Sequence, residues 1–557
     1  MQAAEQIVVR VAGGRTLDCP ASTPVKLLLP APKDANGLHY LGASVNNQLV
    51  TLEFLLEVES DVRFLTFRDP AGWRIYRSTA TFLLAKVIKE LFPDARFSVE
   101  HSLGNGFYCF FGSNGREGIT PEQLAAVDRR LRELVQQDLP LNRRKVTFAE
   151  AMRVFEAQGQ RDKLNLLRFR NPPKVVVYSC EGFTDLAHMP LAVSTGALTH
   201  FNLAPYETGF VIQFPDRSTP PRVPPLRGQP QLFRIYQEHK KWGRTLGVTN
   251  VGRLNELIAA QETGDFIKTT EAFHEKKIAQ IADLVCGKQP RVRWLLIAGP
   301  SSSGKTTFAK RLAVQLRVNG VRPVTLSVDN YFVDREHTPK DDKGENDYEH
   351  IESIDLKLFH EHLRTLDEGG EIDVPTFNFH EGRREFKGQK LRLAEDQLAI
   401  LEGIHGLNPR LTEVIQPPHK FKVYISALTQ LNLDSNNRIS TTDNRLVRRM
   451  VRDNQFRGHP ALTTMGMWPS VRRGEKTWIF PYQDQADIAF NSALDYELSV
   501  LKPFVEPLLA EVKPHHEHYG EARRLQDFLR SFLVIPADLV PPTSILREFI
   551  GKSSFRY

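Results

Sequence analysis

The sequence is poor in cysteine and has no long apolar run. Four cysteines occur in 557 residues, Cys19, Cys109, Cys180 and Cys286, and no two of them form a C-x-x-C pair. That excludes a disulfide framework and zinc-finger spacing, and fits a reducing compartment. No stretch approaches the roughly 20 apolar residues of a membrane helix. Residues 1–6 lack a signal-peptide pattern, so a cytoplasmic protein with no membrane partner is expected. No internal repeat is visible. No Asn-Lys-x-Asp run is present, which leaves guanine-specific GTPase chemistry without support. Charge is not scarce: 73 Lys and Arg against 66 Asp and Glu leave a net +7. Such a mild surplus suits an anionic ligand such as a nucleotide or RNA, but most surpluses of this size are solvated surface. The length exceeds one core and implies two to four domains.

What is present is a phosphate loop. Gly299-Pro300-Ser301-Ser302-Ser303-Gly304-Lys305-Thr306 reads G-x-x-x-x-G-K-[ST], a Walker A pattern. An apolar run, 292–298, precedes it and reads as a buried strand. After it Phe308, Ala309, Leu312, Ala313 and Leu316 recur at helical spacing, with Asn319-Gly320 as a stop. Glycine at 299 and 304 lets successive N–H groups converge on phosphate, and the helix N-terminus adds partial positive charge. The predicted nucleotide contacts are Gly299, Ser301, Ser302, Ser303, Gly304, Lys305, Thr306 and Thr307. Lys305 is expected at the β- and γ-phosphates of ATP and Thr306 on Mg²⁺.

Two more runs deliver carboxylates. Residues 323–328 are β-branched and end in Asp329; residues 397–401 are apolar and end in Glu402. In a doubly wound α/β sheet such strand ends form the ligand edge. Asp329 is a candidate general base, with a helix cap or a Mg²⁺ partner as alternatives. Glu402 is a candidate Mg²⁺ ligand, directly or through water. Between them lie Asp347-Tyr348-Glu349-His350, Pro375–His380 and Arg383-Arg384. Polar and aromatic groups mixed in these loops suit a base and sugar pocket, aromatics for stacking and carboxylates or amides for hydroxyls, though Tyr348 and Phe377 equally suit the core. Arg445, Arg448, Arg449 and Arg452 fall on one helical face, with Leu446, Val447, Met450 and Val451 opposite. Only Asp453, at i+4 from Arg449, is in reach as a local partner. A solvated face is the ordinary reading of such charges. Four arginines and no lysine favour a phosphate-binding lid, with Arg448, Arg449 and Arg452 on the moving phosphoryl group.

The first half reads differently. Residues 7–11, 43–50 and 61–66 look like strands and Ser78–Phe92 like a helix. Six prolines between 215 and 230 mark a semi-rigid spacer. Residues 231–284 turn helical, with Leu254, Leu257 and Ile258 on one face and Glu271–Lys277 as a solvated stretch. His515-His516-Glu517-His518 reads as an exposed turn, with metal binding the lesser alternative, and the tail at 543–551 reads as structural.

These residues carry two resemblances. The first strands resemble a TGS domain. Leu83-Leu84-Ala85, Lys89–Ala95, Gly106-Phe107-Tyr108, Asp185-Leu186 and Ser194-Thr195-Gly196 resemble the second additional, editing domain of threonyl-tRNA synthetases. The resemblance would place metal-ligating His and Cys at 78, 82, 187 and 191. Here these are Ser78, Phe82, Ala187 and Leu191, which cannot ligate metal, so no editing chemistry and no zinc are expected. His101 and His188 are nearby rival ligands, more readily structural. The domain implies RNA contact as a partner. Gly299–Thr306, Asp329–Phe332, Leu401–Gly403 and Arg445–Asp453 resemble the uridine kinase/phosphoribulokinase family, which implies 5′-phosphorylation of a nucleoside with ATP and Mg²⁺. A family histidine is replaced by Gly382, with His380 two residues earlier, which leaves the nucleoside open. The fusion of both parts resembles a group of bacterial-type proteins assigned as nucleoside kinases.

The expected architecture is α/β: a TGS-like domain at 1–68, an editing-like domain at 69–214, a Pro-rich and helical connector at 215–288, and a P-loop kinase with a parallel doubly wound sheet at 289–557. Both small domains are expected to be α+β. The competing readings are an RNA-associated ATP-binding regulator and a phosphoribulokinase-like sugar kinase.

Overall fold

The computed structural model describes residues 5–113, 115–341, 344–379 and 381–556. Its C-terminal half is built on five parallel strands. Across the sheet they run Arg322–Ser327, Gln397–Glu402, Trp294–Ala298, Lys420–Ser426 and Ile488–Asn491. The strand before the phosphate loop is central and buried at every residue, as its apolar run demands. Helix Lys305–Val318 packs Phe308, Ala309, Leu312 and Leu316 inward. The register places Ile297, Ser327 and Glu402 at one level. All five strands therefore end on the same edge.

The N-terminal half holds smaller sheets. A mixed five-stranded sheet orders Arg15–Pro20, Gln6–Val11, Ser60–Thr66, Tyr40–Val45 and Gln48–Val50. The single strand expected at 43–50 is a hairpin. Val45 pairs with Gln48 across Asn46-Asn47, whose φ values of 46° and 62° are those of a type I′ turn. The helix expected from Ser78 starts earlier and spans Pro70–Leu91. Asp69 accepts from the Thr66 N–H at 2.8 Å and so closes the turn that leads into it. Pro70 opens the first turn, where its missing N–H costs nothing. This helix packs against strands Arg96–Leu103, Gly106–Ser113 and Gly209–Gln213.

Residues 214–229 form neither helix nor strand, as the prolines require. Helices Pro230–Thr245, Val251–Ala259 and Thr263–Gly287 follow. The solvated face expected at Glu271–Lys277 holds only in part: Ala272 and Lys276 are exposed, but Glu271 and Glu275 reach partners. Glu271 is buried, accepts from Tyr496 Oη at 2.6 Å and meets Arg311 of the loop helix at 3.2 Å; Glu275 takes the same arginine at 2.6 Å. Isolated helix periodicity cannot reveal such a partner.

The two halves share a core. One apolar cluster runs from Val146, Phe155 and Val177 through Leu254 and Ile278 to Ile297, Leu312 and Val423. They are also pinned by a hairpin of the C-terminal half, Asn432–Asp434 with Asn437–Arg438. Its backbone meets strand Arg96–Leu103: the Val99 N–H donates to Ser435 O at 2.8 Å, and Asn432 Nδ2 to Val99 O at 3.0 Å. At its tip Lys163 lies 2.8 Å from Asp185 and 3.0 Å from Asp434. Asn436 Nδ2 donates to Asp185 at 2.7 Å and His188 Nε2 sits 2.9 Å from Asp434. Burial works to raise Asp434, but Lys163 and His188 outweigh it and hold this carboxyl low. Of the four synthetase-motif positions, Phe82 is buried against Phe183, Leu191 is buried, and Ala187 packs beside the same core. Among the described residues no helix is long and apolar enough to cross a membrane.

Candidate active site

The loop closes tightly over the strand ends. A Cβ on Gly299 would lie 2.2 Å from Ile425 O, and Gly304 has φ +82°. Ser302 adopts φ +58°, a left-handed conformation that the sequence did not signal. Lys305 is almost wholly buried, with Nζ 3.4 Å from Pro300 O. The Oγ atoms of Ser302 and Ser303 are buried without a hydrogen-bond partner. Together with a helix N-terminus, unsatisfied groups of this kind fit a polyphosphate.

Three buried carboxylates feel the charge of Lys305. Glu402 ends its strand and accepts from Thr306 Oγ1 at 3.4 Å. Burial, with Asp329 and Glu548 adding repulsion, pushes Glu402 up to about 7 against the pull of Lys305. Asp329 sits in the short helix Val328–Tyr331 just past the neighbouring strand. Burial raises its carboxyl too, countered by Lys305, Arg457 and Arg452. The third is Glu349, from the 347–350 loop that the sequence offers to a base and sugar pocket rather than to the phosphate site. It is buried, one of its oxygens lacks a partner, and burial raises it against Arg449 and Lys305. Buried His405, three residues after Glu402, lies against the backbone of Glu349 and His350, and burial lowers it to about 3. A Thr306 hydroxyl beside Glu402 is a donor set that suits Mg²⁺, which takes few protein oxygens and keeps its waters.

The arginine helix spans Thr441–Arg457. The expected stripe exists, but it is not short of partners and it is not open. Arg445 bonds Glu475 through both nitrogens of its fork, and Arg448 pairs with Glu497. Both arginines are buried. Arg445 Nε also donates to Ser301 O at 2.8 Å, Arg448 to Ser302 O at 3.4 Å, and Arg449 to Ser301 Oγ at 2.7 Å. The partners lie dozens of residues away in sequence, where helical spacing carries no signal. Arg449 and Arg452 share Asp453, at 3.2 and 2.8 Å. Leu446, Val447, Met450 and Val451 are buried on the other face.

Carboxylates also sit on the loop's own amides. Glu475 accepts from the Ser301 N–H at 3.2 Å. Glu548, in the tail, accepts from the Thr307 N–H at 3.0 Å and its hydroxyl at 2.8 Å. Ile545 of the same tail closes over Gly304. The tail is thus part of the site's wall.

The remaining candidates separate. Tyr348 is neither core nor pocket floor: it is 45% exposed and meets Asn346. Phe377 joins Phe332 and Phe379, at 5.6 and 5.1 Å, in an aromatic edge that Arg457 covers. Arg384 pairs with Asp355 at 2.9 Å, and Arg383 reaches Glu381. His380 lies outside the described residues. His101 is buried against Tyr236, and burial lowers it to about 3. In the histidine-rich turn His516 Nδ1 accepts from the Lys513 N–H.

A parallel sheet, a phosphate loop on its central strand and carboxylates on its C-terminal edge define a P-loop kinase domain. Residues 295–499 match the Phosphoribulokinase / Uridine kinase family, and the C-terminal half carries a domain of that family. The N-terminal region resembles portions of threonyl-tRNA synthetase. The chain is 33% identical over 200 residues to the threonine–tRNA ligase of Janthinobacterium sp. (strain Marseille), covering 35% of this chain and 31% of that protein. It is 34% identical over 164 residues to the enzyme of Burkholderia lata, covering 29% and 26%. The chain thus spans about a third or less of the length of these curated relatives. Among solved structures, a possible uridine kinase from Bacillus stearothermophilus is similar at 17% identity, covering 39% of this chain and 98% of that one, with a TM-score of 0.28.

Proposed function

We propose that the protein transfers the γ-phosphoryl group of ATP to a hydroxyl of a nucleoside, with Mg²⁺. The observation that carries this reading is the Thr306 hydroxyl on Glu402 at the sheet's C-terminal edge, beside buried Lys305 and with Asp329 just past the neighbouring strand. Mg²⁺ would neutralise charge on the phosphates, held near Thr306 and Glu402. Loop amides and Lys305 bind and orient the phosphates. Asp329 accepts the acceptor hydroxyl's proton; its raised affinity for protons brings it nearer the working range of a base. Arg449 and Arg452 lie toward Glu349 and Asp329 and serve the transferring group, while Arg445 and Arg448 brace the loop's carbonyls. The aromatic edge of Phe332, Phe377 and Phe379 offers stacking area to a base. The division at 68, 214 and 288 belongs to the same proposal, with the N-terminal portions as a docking body rather than an editing enzyme.

The test is ATP turnover over a panel of nucleosides and sugar alcohols, with Lys305→Ala as the control. Turnover with a nucleoside that falls about 10²–10³-fold in the variant supports the proposal, since one preorganised phosphate donor has been removed. Turnover with sugar phosphates alone favours the sugar-kinase reading. A tRNA mobility shift without any turnover favours the regulator.

A further inference from the structure

Four arginines gather where the two halves meet. Arg74 and Arg77 come from helix Pro70–Leu91, Arg217 from the proline-rich segment, and Arg438 from the inserted hairpin. Two aromatic rings organise them. The Arg77 guanidinium lies 3.6 Å from the Trp73 ring centre and 4.9 Å from that of Phe107. Arg438 is 5.2 Å from Phe107, and Arg217 is 6.0 Å from Trp73.

The charge here does not balance. Arg74 is paired with Glu521 at 2.6 Å. Arg524 takes the other local carboxylates, Glu521 at 2.7 Å and Asp443 at 2.8 Å. Among the described residues, Arg77, Arg217 and Arg438 make no ion pair; Asp443, Asp69 and Asp216 act on them only at longer range. Burial first, then Arg438 and Arg74, pushes Arg77 well below the usual guanidinium range. Burial lowers Arg438 to about 10. Donors are also left over: Trp73 Nε1, Arg74 Nε and Arg77 Nε are buried without a partner. Trp73, Arg77, Arg217 and Arg438 each keep part of their surface in solvent, although the Trp73 Nε1 and Arg77 Nε atoms are buried.

Like charges held together on aromatic faces, with spare donors, lack one thing: a multiply charged acceptor. A carboxylate matches one guanidinium fork, whereas a phosphoryl group offers three oxygens and up to two charges to several forks. We propose that this seam binds a small phosphate-bearing ligand, a phosphomonoester or diphosphate group, at a site separate from the phosphate loop. Arg77 and Arg438 form its floor over Phe107, and Arg217 closes it from the proline-rich segment. None of these residues belongs to the P-loop machinery, so the site stands or falls independently of the kinase reading.

The experiment uses the full chain carrying Lys305→Ala, which weakens the loop as a phosphate binder. Inorganic pyrophosphate is titrated by calorimetry and by intrinsic fluorescence. One saturable equivalent is expected, with a fluorescence change that Trp73→Phe abolishes. Arg77→Gln and Arg217→Gln, each in the same background, should weaken binding about tenfold or more. Arg77→Gln should also melt no lower than its parent without pyrophosphate, because it removes an unpaired charge; a merely structural arginine would lower the midpoint. Arg217→Gln lies outside any helix or strand and serves if Arg77→Gln does not fold. Absence of binding at millimolar pyrophosphate overturns the proposal. So does binding that is unchanged in both glutamine variants. Binding of an RNA oligonucleotide through these arginines, with none of pyrophosphate, overturns it as well.

Discussion

Buried charge is handled in opposite ways in two regions of this molecule. At the tip of the inserted hairpin every partner is present: Lys163 has Asp185 and Asp434, and His188, Asn436 and Asn437 bond the same two carboxylates. Around the phosphate loop the partners run short, with Ser302 Oγ, Ser303 Oγ and a Glu349 oxygen left over. Desolvated groups that are satisfied hold a structure together; desolvated groups that are not are waiting for something. The first region holds two halves in register. The second is organised for a ligand that brings its own charge.

Breaking one member of each region should give opposite signatures. The largest effect is expected from Asp329→Asn, which keeps shape and removes the proton acceptor. It should lower kcat by on the order of 10²–10⁴ with ATP affinity and melting temperature nearly intact. An unchanged kcat in a steady-state assay would place the base elsewhere. Lys163→Met comes next. It leaves Asp185 and Asp434 facing each other in the interior and should cost about 3–5 kcal/mol in denaturant unfolding. Its turnover per folded molecule should stay near that of the parent; a catalytic loss without a stability loss would erase the distinction drawn here.

Arg449→Ala sharpens the comparison within the arginine helix. Removing this fork should weaken apparent ATP affinity and kcat together by about 10–100-fold. Paired measurements of ATP Kd and kcat that match the parent on both axes would return the arginine to a structural role. The smallest effect is a slope. Glu402 is raised from 4.5 to about 7 in the fold, chiefly by burial. Between those values the folded protein holds a proton that the unfolded chain has released. Stability of the metal-free protein should therefore fall as pH rises through that window. Glu402→Gln should flatten the fall in a series of melting curves; an equally steep curve would assign the slope to Asp329 or Glu349.

Much of this was legible beforehand where the signal is local. The loop needs its glycines at fixed offsets, and both carboxylates terminate apolar runs, so strand, loop and Glu402 could be read directly. The arginine face follows from spacing alone. Its partners do not: Glu475 and Glu497 belong to later segments, and no periodicity connects them to Arg445 and Arg448. The same reason hid Glu271 behind Arg311, and the hairpin at 432–438 behind a region far upstream. The Asn46-Asn47 turn is different, because two asparagines between strand residues are a local signal and were absorbed into one strand. The loop of Glu349 was readable as a pocket segment, but not its place by Lys305, since a carboxylate in a polar loop looks the same wherever the loop is folded.

The tail gives the loop a chemistry of its own before any nucleotide arrives. Glu548 grips the Thr307 amide and hydroxyl, while Glu475 takes the Ser301 amide. On the proposed reading these are seats for phosphate oxygens, and one N–H cannot serve two anions. Nucleotide entry is then a substitution, in which a tethered glutamate is the leaving group and stays close enough to return. Product departure is the reverse exchange, assisted from within the chain. On that reading the tethered glutamates set a threshold that a triphosphate must exceed to enter the loop.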